Sequence, residues 1–359
     1  MRRKTVFMSV LVLIWLASVP LACLPGPMDL GCAEVLHLLT VWSGLSAETA
    51  DAVSLLVVSQ IRLPRVILAL FAGGGLAVAG TALQGLLRNP LADPFVLGLS
   101  AGAACGASAA IAFGARLSLW VSGLALSPVL AAVAHDVGLV APAAMMGAFL
   151  ALFMTLSLGR TGGLFRRDVV ILSGVAVSAF LGALVALIKA LDEESVAGIV
   201  FWIMGSFQGR GWPDMLLLSP LPLGLALVAA RWRDLDMLRL SDHEAAGLGV
   251  SVQRNRLWVL CGTGCITAAC VAVAGIIGFV GLIAPHIFRR LLGTGHGILL
   301  PASWFGGGIL LVWADVLARS LLAQGQELPV GVVTALIGGP FFAWILRRGQ
   351  SATTRGDEL

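Results

Sequence analysis

Apolar residues run through this chain in blocks of roughly 20 separated by short polar turns, the pattern of helices that cross a hydrocarbon layer about 30 Å thick. The clearest case is residues 62–106, RLPRVILALFAGGGLAVAGTALQGLLRNPLADPFVLGLSAGAACG. Two uncharged apolar segments there are joined by the turn Arg88-Asn89-Pro90-Leu91-Ala92-Asp93-Pro94. Two prolines so close together bar a continuous helix, because each lacks an amide donor and restricts the residue before it. The segment therefore predicts a helix, a turn and a second helix. Extended along the chain, the same pattern predicts spans near residues 6–24, 65–87, 96–114, 140–158, 169–189, 215–232, 257–276, 278–292, 298–318 and 329–346. Two apolar pieces remain, Leu117 to Ala134 and Val196 to Phe207. They are short or punctuated and read as interfacial or reentrant helices.

Composition leads to the same class. The chain is 58% hydrophobic and 12% charged, against roughly 25% charged in a soluble domain, and its mean hydropathy is +0.97. The expected fold is an all-α integral membrane protein of about ten transmembrane helices, a single domain over residues 1–359 with no linker. The 44 glycines fit that fold, since glycine lets helix backbones approach closely where lipid supplies no hydrophobic drive to associate.

Charge sets the orientation. With ten spans and the amino terminus inside, 17 of the 23 Lys and Arg residues fall in cytoplasmic segments: Arg2, Arg3, Lys4, Arg88, Arg160, Arg166, Arg167, Arg231, Arg233, Arg239, Arg254, Arg256, Arg289, Arg290, Arg347, Arg348 and Arg355. Counting either leftover piece as one more crossing throws much of that charge outside, against the positive-inside rule. The expectation is a multi-pass protein of a bacterial cytoplasmic (inner) membrane, both termini cytoplasmic, with a loop at about 233–256 and a tail at 347–359. The net charge of +4 reflects orientation rather than nucleic-acid binding. The first span has the basic start and apolar run of a signal peptide, but the charge count closes only if it is kept as an anchor.

Several chemistries are excluded or unsupported. A phosphate-binding loop of the form GxxxxGK[ST] needs a lysine, and the only two lysines, Lys4 and Lys189, lie in no such context. ATP and Mg are therefore expected on a partner, and no cofactor on this chain. Cys261, Cys265 and Cys270 fall inside a predicted span as packing residues, and Cys23 with Cys32 leaves a disulfide open. His286 and His296 have no companion ligands at metal spacing. Ion-coupled transport and intramembrane catalysis are the competing classes. Both need ionisable or polar groups at mid-depth, and the span centres are nearly bare of them, Asp315 and Arg319 standing close to an outer end at i,i+4 spacing.

The motifs QIRLPR, RNPLADPFVLGLSAGA, AGIIGFVGLIAPHIFR (274–289) and ELPVGVVTALIGGPFFAWIL (327–346) resemble the FecCD-type permeases of bacterial ATP-binding-cassette importers, in order and at compatible spacing from Arg62 to Leu346. The resemblance implies a type II importer permease that pairs with a second copy of itself or a paralogue. It also implies two cytoplasmic ATP-binding subunits, one extracytoplasmic substrate-binding protein, and membrane lipid around the spans. The implied cargo is a metal chelate: an iron-siderophore complex first, with haem and vitamin B12 behind it.

Residue roles follow from the matched positions. The ATPase contact maps to Leu240, Ser241, Asp242, His243, Glu244, Ala245, Gly247, Leu248 and Gly249. Ser241 and Glu244 there have the spacing of a capping box around a short helix. Arg62, Arg65 and Arg319 match arginines that receive acidic residues of the binding protein, a task that suits a guanidinium; snorkelling anchorage is the plainer reading. The resemblance places the inner gate in the loop 164–168, which includes Arg167 and Asp168. Gly98 and Gly102, with Gly106, give one helix face that either packs or lines the path. Asn89, Pro90, Pro94, Pro285 and His286 are expected to shape the turns of the strongest motifs.

Overall fold

The computed structural model of the chain describes residues 2–46, 49–123, 138–161, 164–322 and 326–354. Helix α1 (Arg2–Ala22) is followed by a short helix α2 (Cys32–Trp42) that the hydrophobic blocks did not announce. Eleven residues make about 16 Å of helix, too little to cross. Helix α3 covers Ala52–Leu87, 36 residues, with a π-helical turn at Val57–Arg62. It is followed by α4 (Leu99–Gly123) and α5 (Val140–Leu158). A two-residue hairpin, β1 (Arg160–Thr161) with β2 (Leu164–Phe165), leads into α6 (Arg167–Leu191).

Then come the short α7 (Val196–Ile203), a 3-10 stretch Trp212–Leu218 running into α8 (Pro220–Ala229), α9 (Trp232–Met237) and α10 (Asp242–Gly247). The chain finishes with α11 (Val252–Ala274), α12 (Val280–Leu292), α13 (His296–Ser320) and α14 (Val330–Thr354).

Among the described residues seven helical stretches are long and apolar enough to cross a membrane, and α4, α12 and α14 stand where the remaining three spans were expected. Helix α12 begins two residues later than the stretch 278–292 read from the sequence, and its 13 residues reach about 20 Å. The reason lies just before it: Gly275 (φ +71°) and Phe279 (φ +69°) break the chain out of helix. The Phe279 ring packs where a Gly338 side chain would stand, which holds this non-glycine residue in a left-handed conformation that is otherwise uncommon. The piece from Val196 also resolves: α7 is one short helix whose end bonds back to α11 through Ser206 N–H to Ala274 O, 2.8 Å. Of the piece Leu117 to Ala134, residues 117–123 continue α4 and residues 124–134 lie outside the described residues.

Long helix α3 is the centre of the bundle. It is buried along nearly its whole apolar length and packs on α11, α12 and α13, while α4 packs on α5 and α6. The polar ends sort into two. Phe7 of α1 meets Phe288 of α12 edge-on, and the Arg290 guanidinium stacks over Trp344 of α14. The start of α1 and the later part of α14 therefore sit at the end that also carries Arg88, Arg256 and Arg289, the basic end.

Candidate functional site

At the end opposite the basic one, three guanidinium groups converge. The Arg65 fork closes on Asp315, with Nε to Oδ2 at 3.0 Å and Nη2 to Oδ1 at 2.9 Å, and its Nη1 meets Glu327 Oε2 at 2.8 Å. Arg62 leaves the π-helical turn and donates to the carbonyls of Cys23, Leu24 and Met28 at 2.8, 2.7 and 2.6 Å. Arg319 donates to the Pro25 and Ala22 carbonyls and stands 3.6 Å from Asp315. The i,i+4 pairing of Asp315 with Arg319 read from the sequence is thus present. The three arginines line a cavity at this end with Glu327, yet little of them is exposed: Arg62 is 4% and Arg65 8% exposed, and Asp315 is fully buried. Their donors are turned inward to fix the loop 22–28 after α1 onto α3 and α13. A buried guanidinium needs such partners, and Glu327, which closes the cluster, was not singled out beforehand. Cys23 and Cys32 are both free thiols, one buried and one exposed.

The turn between α3 and α4 is built from the polar residues of its motif. Arg88 ends α3 in a left-handed conformation (φ 49°). Asn89 Oδ1 accepts the Leu91 amide at 2.9 Å and Asp93 Oδ1 accepts the Phe95 amide at 2.9 Å. Pro94 then starts a 3-10 turn that Gly98 (φ +78°) closes, while Pro90 stands exposed at the tip. Removal from water pushes the Asp93 carboxyl up to about 6, against the Phe95 hydrogen bond that opposes the rise.

Pro285 has a definite cost and a definite compensation. Inside α12 it cannot donate to the carbonyl four residues back, Gly281 O. That carbonyl instead accepts Gln84 Nε2 from α3 at 3.0 Å, and Gln84 Oε1 accepts Arg289 at 2.9 Å. The sequence flagged Pro285 but not Gln84, because nothing local links positions 197 residues apart. His286 packs edge-on against Phe341, centroids 5.9 Å apart, and His296 pairs with Asp236 at 2.6 Å. Among the described residues no group of His, Cys, Asp and Glu is arranged to hold a metal.

Gly98 and Gly102 face neighbouring helices rather than an open path. A side chain on Gly102 would meet Gly147 O of α5, and one on Gly98 would stand 3.2 Å from Val177 of α6. Close approach requires glycine at such contacts, so the path reading of these two is corrected to packing. Arg167 donates to Leu87 O at 3.2 Å, tying the start of α6 to the end of α3, and Asp168 is exposed.

At the basic end, α10 has the capping box its spacing implies. Ser241 Oγ accepts the Glu244 amide at 3.1 Å, and Glu244 Oε2 accepts the Ser241 amide at 2.7 Å. The hydrogen bonds from Ser241 hold the Glu244 carboxyl below its ordinary range. His243, Glu244, Gly247, Leu248 and Gly249 are exposed while Ala245 is buried. Leu240 and Leu248 are 46% and 61% exposed, two apolar side chains flanking a polar helix. Asp242 accepts Arg88 at 2.8 Å and Arg256 at 2.9 and 2.8 Å.

Comparison with known proteins agrees with this architecture. Residues 12–348 match the FecCD transport family. The hemin transport system permease protein HmuU of Yersinia pestis is 41% identical, over 80% of this chain and 82% of the relative. The cobalamin import system permease protein BtuC of Halobacterium salinarum is 39% identical over 84% and 74%, and the Fe(3+) dicitrate transport system permease protein FecD of Escherichia coli 38% over 81% and 85%. A solved metal-chelate type ABC transporter, captured in an inward-facing conformation, superposes with a TM-score of 0.78 at 32% identity, over 95% of this chain and 99% of that one. With its bundle of crossing helices, its capped helix at the basic end and these relatives, the chain is a multi-pass membrane permease subunit of an ABC importer and belongs to the FecCD transport family.

Proposed function

We propose that this permease carries a metal held in an organic chelate into the cytoplasm, an iron-siderophore complex in the first place. Relatives named for hemin, cobalamin and Fe(3+)-citrate favour that cargo class and keep haem and vitamin B12 as alternatives moved by the same mechanism. The basic end faces the cytoplasm of a bacterial inner membrane, in line with the positive-inside rule. Two copies pair, two ATP-binding subunits dock below, and one binding protein docks at the opposite end. ATP and Mg belong to those subunits, since no phosphate-binding loop exists in this chain.

The observation that carries the proposal is α10. It is a capped helix beyond the spans, flanked by exposed Leu240 and Leu248, which lipid does not cover at that position and a partner does. Arg62, Arg65 and Arg319 line a cavity at the opposite end, where the binding protein is expected to dock.

The test is reconstitution in liposomes with the ATP-binding subunit and the binding protein, following uptake of labelled iron(III)-hydroxamate, haem and cobalamin. ATP-dependent uptake of one of them, indifferent to ionophores, is expected. Uptake that persists without the ATPase and collapses with an ionophore overturns the proposal in favour of ion coupling.

A further inference from the structure

Helix α10 is attached to the transmembrane bundle by few groups. Among the described residues Ala245 is its one buried side chain, and six residues are too few to hold a helix by themselves. Its placement depends on polar contacts, and Asp242 makes them. Because Ser241 and Glu244 already serve the first amides, the Asp242 carboxylate is not consumed by capping. It receives Arg88 from the end of α3 and, through both oxygens, Arg256 from the first turns of α11.

Arg256 is the informative partner. Its side chain is 5% exposed, and while Nη2 holds Asp242, Nη1 donates to the Phe165 carbonyl at 2.7 Å. The Phe165 amide in turn donates to Gln253 Oε1 at 2.7 Å, one turn earlier on α11. Phe165 lies in β2 and is followed within two residues by the start of α6. One planar guanidinium thus joins the carboxylate of α10 to the backbone of the hairpin that leads into α6. A guanidinium is rigid and multidentate, so a shift of the carboxylate turns the whole fork and displaces the carbonyl on its other side. Charge-assisted bonds on both sides keep the link tight. Arg88 ties the same carboxylate to the end of α3, and its Nε also holds the Leu238 carbonyl at 2.6 Å.

We propose that Asp242 is a positioning residue for transport: through Arg256 and the Phe165 carbonyl it transmits movement of α10 to the 164–168 segment and the start of α6. This rests on α10 being the ATPase contact, and it adds the route by which that contact reaches a transmembrane helix.

The experiment uses the assembled transporter in proteoliposomes and needs no knowledge of the cargo. Leu164, 49% exposed beside Phe165, is replaced by cysteine in a background without the six native cysteines, and its labelling by a membrane-impermeant maleimide is timed with and without ATP. Labelling of the parental transporter is expected to respond to ATP. Asp242→Asn and Arg256→Lys should shrink that response by about tenfold, the order expected for one lost hydrogen bond to a charged group. ATPase co-purification and hydrolysis should stay within about twofold in Arg256→Lys, and Asp242→Glu should restore much of the response. An ATP response that is absent in the parent, or unchanged in the Asn and Lys variants, overturns the proposal. So does loss of ATPase binding in Arg256→Lys, which makes the arginine part of the docking surface. Failure of the parental chain to bind the ATPase instead overturns the assignment of α10 itself.

Discussion

At the scale of single residues, most buried charge of the chain is spent on joining distant segments. Arg65 and Asp315 are 250 positions apart yet form a two-pronged pair with Asp315 fully buried. Removing Arg65 leaves buried Asp315 with Arg319 alone, at 3.6 Å, and breaking a buried pair costs up to about 3–5 kcal/mol. Arg65→Gln is therefore expected to lower the thermal unfolding midpoint in detergent sharply, with partial recovery on adding Asp315→Asn. An unchanged midpoint excludes a structural pair. Asp93 gives a pH signature. Its folded-state carboxyl is raised to about 6 from 3.8, so the native state holds the proton more tightly than the unfolded one. Its contribution is present below the ordinary carboxyl range and is lost as pH rises through about 4 to about 6. Asp93→Asn should flatten the stability profile over that window, read as midpoints at several pH values. Spacing alone made the Asp315–Arg319 pair legible; the Arg65 pair and the Gln84 bridge were not, because contact between remote helices leaves no local pattern.

At the scale of elements, helix contacts are set by backbone approach. A side chain at Gly80 of α3 would collide with Gly281 O of α12, whereas Gly182 of α6 has nothing within 4 Å. Gly80→Ala is expected to destabilise by about 1–3 kcal/mol through overpacking, with Gly182→Ala neutral or slightly stabilising. Equal shifts in the two unfolding midpoints would contradict this packing. At α10, Gly247→Pro should distort the last turn, where the amide of residue 247 is needed. Membrane insertion is expected to be retained while ATP hydrolysis and uptake lose their proportion, and uptake at the parental rate would remove α10 from coupling. The capping box was legible because its residues lie three apart. The break at Phe279 just before α12 was not, because it depends on that ring finding room over Gly338.

At the scale of the whole molecule, a single copy leaves large apolar side chains such as Leu172, Val175, Phe180 and Leu187 of α6 more than half exposed. In the assembly proposed above, lipid covers such faces and a second copy covers part of them. The purified chain in detergent is expected to run as a dimer by light scattering and to hydrolyse no ATP. A monomer at all concentrations counts against pairing, and hydrolysis by the pure chain counts against an ATPase on a separate subunit.

What the sequence determined by itself was everything carried by short range: the membrane class, the expected spans as helical stretches, the turn after α3 and the cap of α10. Hydropathy blocks, proline spacing and a four-residue box are read from neighbours, and the solvent enforces them wherever the chain goes. The tertiary structure alone decided that the donors of Arg62, Arg65 and Arg319 turn inward, that Gly98 and Gly102 pack, that Phe279 interrupts the chain just before α12, and that Asp242 and Phe165 share one arginine. Each of these turns on which distant backbone comes close enough to fill a void or accept a proton. In a bundle with so few charges, that is settled only when all the helices have packed.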